Sequence, residues 1–407
     1  MTPEDAVADA HRREWGQVLA ATVRVTRDLD TAEECVQEAY AQALVAWREE
    51  GVPARPGAWL TTAARRRALD RLRHADVAAR ALPLLVTDEV APDDPEPAQT
   101  DLLALVFTCC HPALAEPSRV ALTLRLLGGL TTFQIAKAFL VPEATMAARI
   151  TRAKKKIATA RVPYRMPGPG ELSERLDAVL TVVHLILTTG HTAPDGDTLV
   201  RRDLVDRAHD LARLLRARFP DDAAVAGVLA LGLLADARRE TRVGADGSLT
   251  RLADQDRSRW DAAMIAEGTA LTKEALVRSG PDRPVSRYAL LAAIAAVHCE
   301  ARTFAETDWA EIVGLYDVLL ARWTDPVAAL NRAVAVGFAD GPAAGLDALE
   351  PLAEEPRLAS YHYLAAARAE FLRLLGRDDE AALAGSEALL LAGNAVERAF
   401  LDTRRQV

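Results

Sequence analysis

TTFQIAKAFLVPEATMAARITRAKKKI, residues 131–157, carries two helical periods with a break between them. Ile135, Ala136 and Phe139 form the apolar side of a short first helix, and Leu140, Val141 and Pro142 form the turn. In the second helix Met146, Ile150, Ala153 and Ile157 recur at steps of four, three and four, which puts them on one face. Thr145, Arg149, Arg152 and Lys156 form the opposite stripe. A short helix, a tight turn and a second helix with one apolar and one basic face make the pattern of a helix-turn-helix. Arginines such as Arg149 and Arg152 can read guanine edges in a major groove, while Lys154, Lys155 and Lys156 would mainly neutralise phosphates. An ordinary helical hairpin with a solvated basic face is the rival reading. The agreement of turn, length and charge favours DNA.

Working outward, two more helices precede this one. Residues 58–74, AWLTTAARRRALDRLRH, set Arg65, Arg66, Arg67, Arg71 and Arg73 beside Trp59 and His74. Basic groups near an aromatic can hold a phosphate backbone and stack an unpaired base. Alone, a solvated basic face explains this helix as well. Residues 31–47 read as a helix with Ala32, Cys35, Val36, Ala39, Ala43 and Trp47 inside. Glu33, Glu34, Gln37, Glu38 and Gln42 lie outside, with Asp30 or Thr31 as its cap. Exposed carboxylates are unsuited to DNA and suited to a basic protein partner.

Composition sets the frame. Half of the 407 residues are hydrophobic and a quarter charged, and sparse aromatics favour helix throughout, so the expectation is an all-α fold. The net charge of −9 hides an asymmetry: residues 1–165 carry +1 and the remainder −10, which directs nucleic-acid contacts to the N-terminal part. No apolar run reaches the ~20 residues needed to span a bilayer, and the charged start lacks the core of a secretory signal. The expectation is a cytoplasmic protein with reduced thiols and no membrane contact. Pro/Gly-rich and acidic breaks divide the chain into 1–80, a linker at 81–100, 101–165, and a helical part from 171 to 407. Within that last part, residues 363–389 pair two helices around a Leu-Gly-Arg turn, a tetratricopeptide-like unit.

Together, three ordered motifs resemble the sigma-70 family in its extracytoplasmic-function class. DLDTAEECVQEAYAQAL is similar to the polymerase-binding segment, PGAWLTTAARRRALDRLR to the segment that melts and reads the −10 element, and LRLLGGLTTFQIAKAFLVPEATMAARITRAKKKI to the module that reads the −35 element. The runs FTCCHPAL, LADQDRSRWD, AAIAAVH, DPVAALNRAVAV and ERAFLDTRR resemble the subgroup with a C-terminal tetratricopeptide-like extension. The resemblance implies two small helical sigma modules and a regulatory helical-repeat domain. It implies that Glu33, Glu34, Val36, Gln37, Glu38 and Tyr40 dock on the β′ clamp helices of core RNA polymerase, with the β flap as a further contact. Trp59, Arg65, Arg66, Arg67, Asp70, Arg71 and Arg73 would lie by the −10 element, although Arg66 stands where the class has Asn. Thr145, Arg149, Arg152 and Lys154 to Lys156 would face the −35 element. The C-terminal part would act on its own chain or on a protein partner. The function implied is recruitment of polymerase to chosen promoters, without catalysis and without a cofactor.

Other signals are weaker. Cys109, Cys110 and His111 have no second Cys/His pair at chelating spacing, so packing is the reading for them and no metal is expected. No phosphate-binding glycine loop and no nucleophile elbow occurs. A conventional helix-turn-helix regulator with a ligand-sensing helical domain would leave residues 28–73 unexplained. A peptide-binding repeat scaffold would leave the basic helix unexplained.

Overall fold

The computed structural model describes residues 2–79, 95–139, 141–194, 196–244, 246–279 and 284–405. Among them the regular structure is helical; two isolated bridges, Gly196 with Asn394 and Val243 with Leu249, are the β pairings. The chain forms two compact units, residues 1–182 and 183–407.

In the first unit α1 (Pro3–Thr26), α2 (Leu29–Glu49) and α3 (Pro56–Ala79) pack against one another. Thr2 and Asp5 form a reciprocal capping box on α1. The cap of α2 is Asp28, two or three residues before the position read from sequence; its carboxylate accepts from Thr31 N at 2.7 Å. Starting one turn earlier lets Leu29 join the core. Val18, Leu19, Ala32, Val36, Ala39 and Leu60 are enclosed at the centre, and the small alanines among them let the axes approach closely.

Next come α4 (Pro95–Cys109), α5 (Glu116–Leu126), α6 (Thr132–Ala138), α7 (Glu143–Thr159) and α8 (Pro169–His191). Helix occupies the end of the stretch expected as linker, residues 81–100. Residues 81–94 lie outside the described residues, and helix already begins at Pro95. Prolines are tolerated in a first turn, where the missing N–H would be unpaired anyway. Helix α4 packs on α1. The Trp15 indole donates to Leu126 O at 3.1 Å, and the Tyr164 hydroxyl sits 2.8 Å from both Ala20 O and Asp101 O. The two modules that the sequence separates therefore share one compact unit.

The second unit holds α9 (Arg202–Arg218), α10 (Ala223–Asp236), α11 (Ala262–Val277), α12 (Arg287–Glu300), α13 (Trp309–Leu320) and α14 (Pro326–Ala339). It ends with α15 (Pro342–Leu349), α16 (His362–Leu374), α17 (Asp378–Leu391) and α18 (Ala395–Arg405). Most contacts join sequence neighbours, such as α10 with α11, α13 with α14, and α16 with α17. Helix α10, AAVAGVLALGLLAD, is apolar all round, as a helix enclosed by α9, α11 and α12 must be. Gly227 permits a close approach of α12: a Cβ there would lie 2.7 Å from Ala289 N. Asn394, fully buried, donates to Thr198 O at 2.9 Å and accepts from Val396 N at 2.9 Å, which fixes the start of α18.

Candidate nucleic-acid interface

The turn preceding α6 contains Gly129 at φ +63, a conformation that glycine adopts without strain. Thr131 then caps α6 in a reciprocal box with Gln134. Ile135 and Ala136 are buried; Phe139 stays half-buried, with the Arg149 guanidinium 5.8 Å from its ring centroid. Leu140 lies outside the described residues. In α7, Met146, Ile150, Ala153 and Ile157 are buried, and no side chain caps the helix start at Pro142. Thr145, Arg152, Lys155 and Lys156 are exposed and Arg149 half-exposed. Among the described residues none of these four cations pairs with a carboxylate. The face is thus an unneutralised basic stripe on a well-anchored helix, with the reach of a major-groove reader.

Lys154 departs from the stripe. Its ammonium lies 3.0 Å from Asp30 and in direct contact with the Glu33 carboxylate, both on α2. Burial pulls its pKa down, but its hydrogen bonds to Glu33 and Asp30 more than offset that and leave it raised. In this arrangement Lys154 faces protein, so the phosphate contact read from the KKK run is not available to it. Glu33 correspondingly is buried where the helical pattern places it outside.

The arginines of α3 are divided in the same way. Arg67 donates to Glu38 at 2.9 Å and to Gln42 at 3.1 Å. Arg71 reaches Glu38 at 2.6 Å and also binds Glu34, and these two bonds hold its pKa up. Asp70 pairs with Arg73 at 3.4 Å. Arg65 is half-buried, its pKa drawn down by burial and by nearby Arg24, with Asp101 opposing. Arg66 is exposed and makes no ion pair among the described residues. Trp59 packs edge-on against Trp47 with centroids 5.7 Å apart, half-buried and short of a free stacking platform.

On α2, Glu34 and Gln37 are exposed and Glu38 half-exposed, whereas Val36 and Tyr40 are core residues. The Tyr40 hydroxyl donates to Ala10 O at 3.1 Å, and its ring meets His11 at 5.2 Å. These two side chains set the shape of the helix and present no surface. The acidic face is therefore answered from two sides, by α3 arginines and by one α7 lysine. Sequence reading missed Asp30 and Gln42 as partners in this network.

Comparison with known proteins places these elements in order. The family described as Sigma-70 region 2 matches residues 11–77, and Sigma-70 region 4 matches residues 104–157. An ECF RNA polymerase sigma factor SigK of Mycobacterium sp. (strain KMS) is 30% identical over 155 residues, 36% of this chain and 78% of that protein. The chain is an ECF sigma factor of the sigma-70 family. As such it is an alternative RNA polymerase sigma factor, which binds core RNA polymerase and promoter DNA. An uncharacterised protein of Rhizobium meliloti (strain 1021) is 40% identical over 95% of this chain and 92% of its own length, so this sigma factor shares its long C-terminal part with another protein. Residues 175–276 match a family of unknown function, DUF6596. No solved structure matches the chain. Among the described residues no helix is long and apolar enough to cross a membrane.

Cys109 and Cys110 pack inside the second sigma module. Burial pushes both thiols up, Cys110 to about 12, which keeps them protonated and poorly nucleophilic. The Cys110 sulfur rests 3.7 Å from Thr123 Oγ1, and His111 Nδ1 accepts from Ala113 N at 3.1 Å. This supports the packing reading of the cluster.

Proposed function

We propose that this sigma factor rests in a closed form and opens on polymerase to reach a promoter. The observation that carries the reading is the Lys154 contact with Asp30 and Glu33. Helix α7 is the −35 reader in this account, through Arg149 and Arg152 to bases and Lys155 and Lys156 to phosphates. Helix α2 docks on the β′ clamp helices through Glu33, Glu34, Gln37 and Glu38, with Val36 and Tyr40 shaping it from within. Helix α3 contributes Arg65, Arg66 and Arg73 to the −10 region, joined by Arg67 and Arg71 once the partner rearranges their ion pairs.

Geometry supports opening. The −10 and −35 elements are centred about 25 base pairs apart, roughly 85 Å along B-DNA. In the closed unit α7 touches α2, and α3 is bonded to that same α2, so the two readers are separated by little more than one helix diameter of about 10 Å. A protein in this form can engage one element at most. Core polymerase competes for the acidic face of α2, and its gain is the release of α7. Duplex opening draws on binding energy, with an unpaired base captured near Trp59. The C-terminal part regulates this cycle through its own chain or a protein partner.

Run-off transcription with purified core polymerase tests the reading, using the full chain and a fragment ending at residue 168, just before α8. A defined transcript from the gene's upstream region is expected from the full chain. A change in yield with the fragment would report the regulatory role; identical yields would remove that role. Absence of both transcript and core binding would overturn the proposal.

A further inference from the structure

The second unit contains a cavity of about 800 Å³ that promoter recognition does not use. Its walls come from segments far apart in sequence. Four of the runs singled out in the C-terminal part reach it: LADQDRSRWD through Leu252 and Trp260, AAIAAVH through Ile294 and His298, DPVAALNRAVAV through Asn331 and Val334, and ERAFLDTRR through Phe400 and Arg404.

One wall is aromatic. Trp309 stacks on Phe338 with centroids 4.7 Å apart and planes inclined by 27°, and Phe304 meets both edge-on at 5.2 and 5.3 Å. Such a platform suits a flat apolar body. The charge is one-sided. Among the described residues five arginines line the cavity against a single carboxylate, Glu370. Glu370 is already held by Arg373 at 2.9 Å and Arg404 at 2.5 Å. Arg251 pairs with Asp254 at 2.6 Å and Arg405 with Asp402 at 3.2 Å.

Arg238 is left over. No carboxylate or carbonyl among the described residues lies within bonding reach of its guanidinium. Burial draws its pKa down, yet an arginine stays charged, so an uncompensated cation faces an apolar space. Close by, His298 Nδ1 is buried without a partner among the described residues. Burial and the charges of Arg238 and Arg257 press that imidazole to about 4, so it is neutral near pH 7.

We propose that this cavity binds a small organic anion with a flat aromatic body, its acidic head on Arg238 beside His298 and its ring against Trp309 and Phe338. The assignment is independent of the closed-form reading of the sigma modules. It gives the C-terminal unit a ligand to sense, of the class of aromatic carboxylates and sulfonates.

The test uses the full chain and 8-anilinonaphthalene-1-sulfonate, whose fluorescence rises in an apolar site. One saturable site is expected. Arg238→Gln is expected to weaken binding at least tenfold while raising or preserving the melting temperature, because it removes an unpaired buried charge. Ala295→Phe, which places a ring in the cavity and retains Arg238, is expected to weaken it as well. N-phenyl-1-naphthylamine, the same body without the sulfonate, is expected to bind weakly and to be insensitive to Arg238→Gln. Non-saturable binding, equal affinity in the folded Arg238→Gln protein, or equal affinity for the neutral probe would each overturn the proposal.

Discussion

Lys154 of α7 is bound to Glu33 of α2, 121 positions earlier in the chain, with Asp30 as a second carboxylate at 3.0 Å. The Lys154 and Glu33 side chains are 19% and 11% exposed, so the pair is largely withdrawn from water. A charge-assisted hydrogen bond of this kind contributes about 1.5–3 kcal/mol. Lys154→Glu would replace it with like-charge repulsion. The expected outcome is a gain in affinity for core polymerase of roughly ten- to a hundredfold, since each 1.4 kcal/mol is tenfold. Fluorescence anisotropy of the labelled chain against core measures it. The raised pKa of Lys154 fixes the pH dependence: the contact is present below the ordinary lysine value and is lost as pH rises through the raised one.

Arg149→Ala and Arg152→Ala are expected to weaken binding to the cognate −35 sequence by about 1–3 kcal/mol each and to relax base preference. Lys155→Ala and Lys156→Ala are expected to weaken binding on all sequences alike and to reduce the salt slope by about one each. Electrophoretic shifts of polymerase–promoter complexes at several salt concentrations separate the two behaviours.

Trp15→Phe removes the indole donor from Leu126 O and leaves that buried carbonyl unpaired. The expected cost is about 1–3 kcal/mol of stability in the first unit, read by denaturant unfolding. Faster amide exchange is expected in both α1 and α5, because the bond joins the two.

The second unit is expected to lose stability in mild acid. His184 and His298 are pressed to about 4 and His191 well below its ordinary value, chiefly by burial. Each is neutral in the folded chain and protonates first in the unfolded one. Stability is thus full above the ordinary value of 6.5 and falls as pH drops from there towards 4, by up to about 1.4 kcal/mol per pH unit for each histidine. Thermal melts between pH 7 and pH 4.5 check this, and His298→Gln should flatten part of the slope.

Local periodicity made the helices legible, and with them the buried row Met146, Ile150, Ala153, Ile157 and the basic stripe opposite. Lys154 was hidden in a run of three lysines. Its spacing of four from Ile150 and three from Ile157 sets it at the edge of the buried face, but its partners are over 120 residues away and no local pattern announces them. Val36 shows the reverse. Its steps of four from Ala32 and three to Ala39 already place it inside, and a role at a protein surface conflicts with its own spacing. The union of the two sigma modules in one unit rests on long-range contacts, such as the packing of α4 on α1 and the bond from Trp15 to Leu126, which leave no mark in the sequence. The cavity of the second unit escaped for the same reason, since its walls are assembled from separated helices.

The most direct measurement of the closed form is zero-length carbodiimide cross-linking of the full chain, with peptide mass spectrometry to locate the links. Free sigma factor should yield amide bonds from Lys154 to Glu33 or Asp30, and saturating core polymerase with promoter DNA should abolish them. Undiminished links in the polymerase-bound protein, or none in the free protein, would contradict the account.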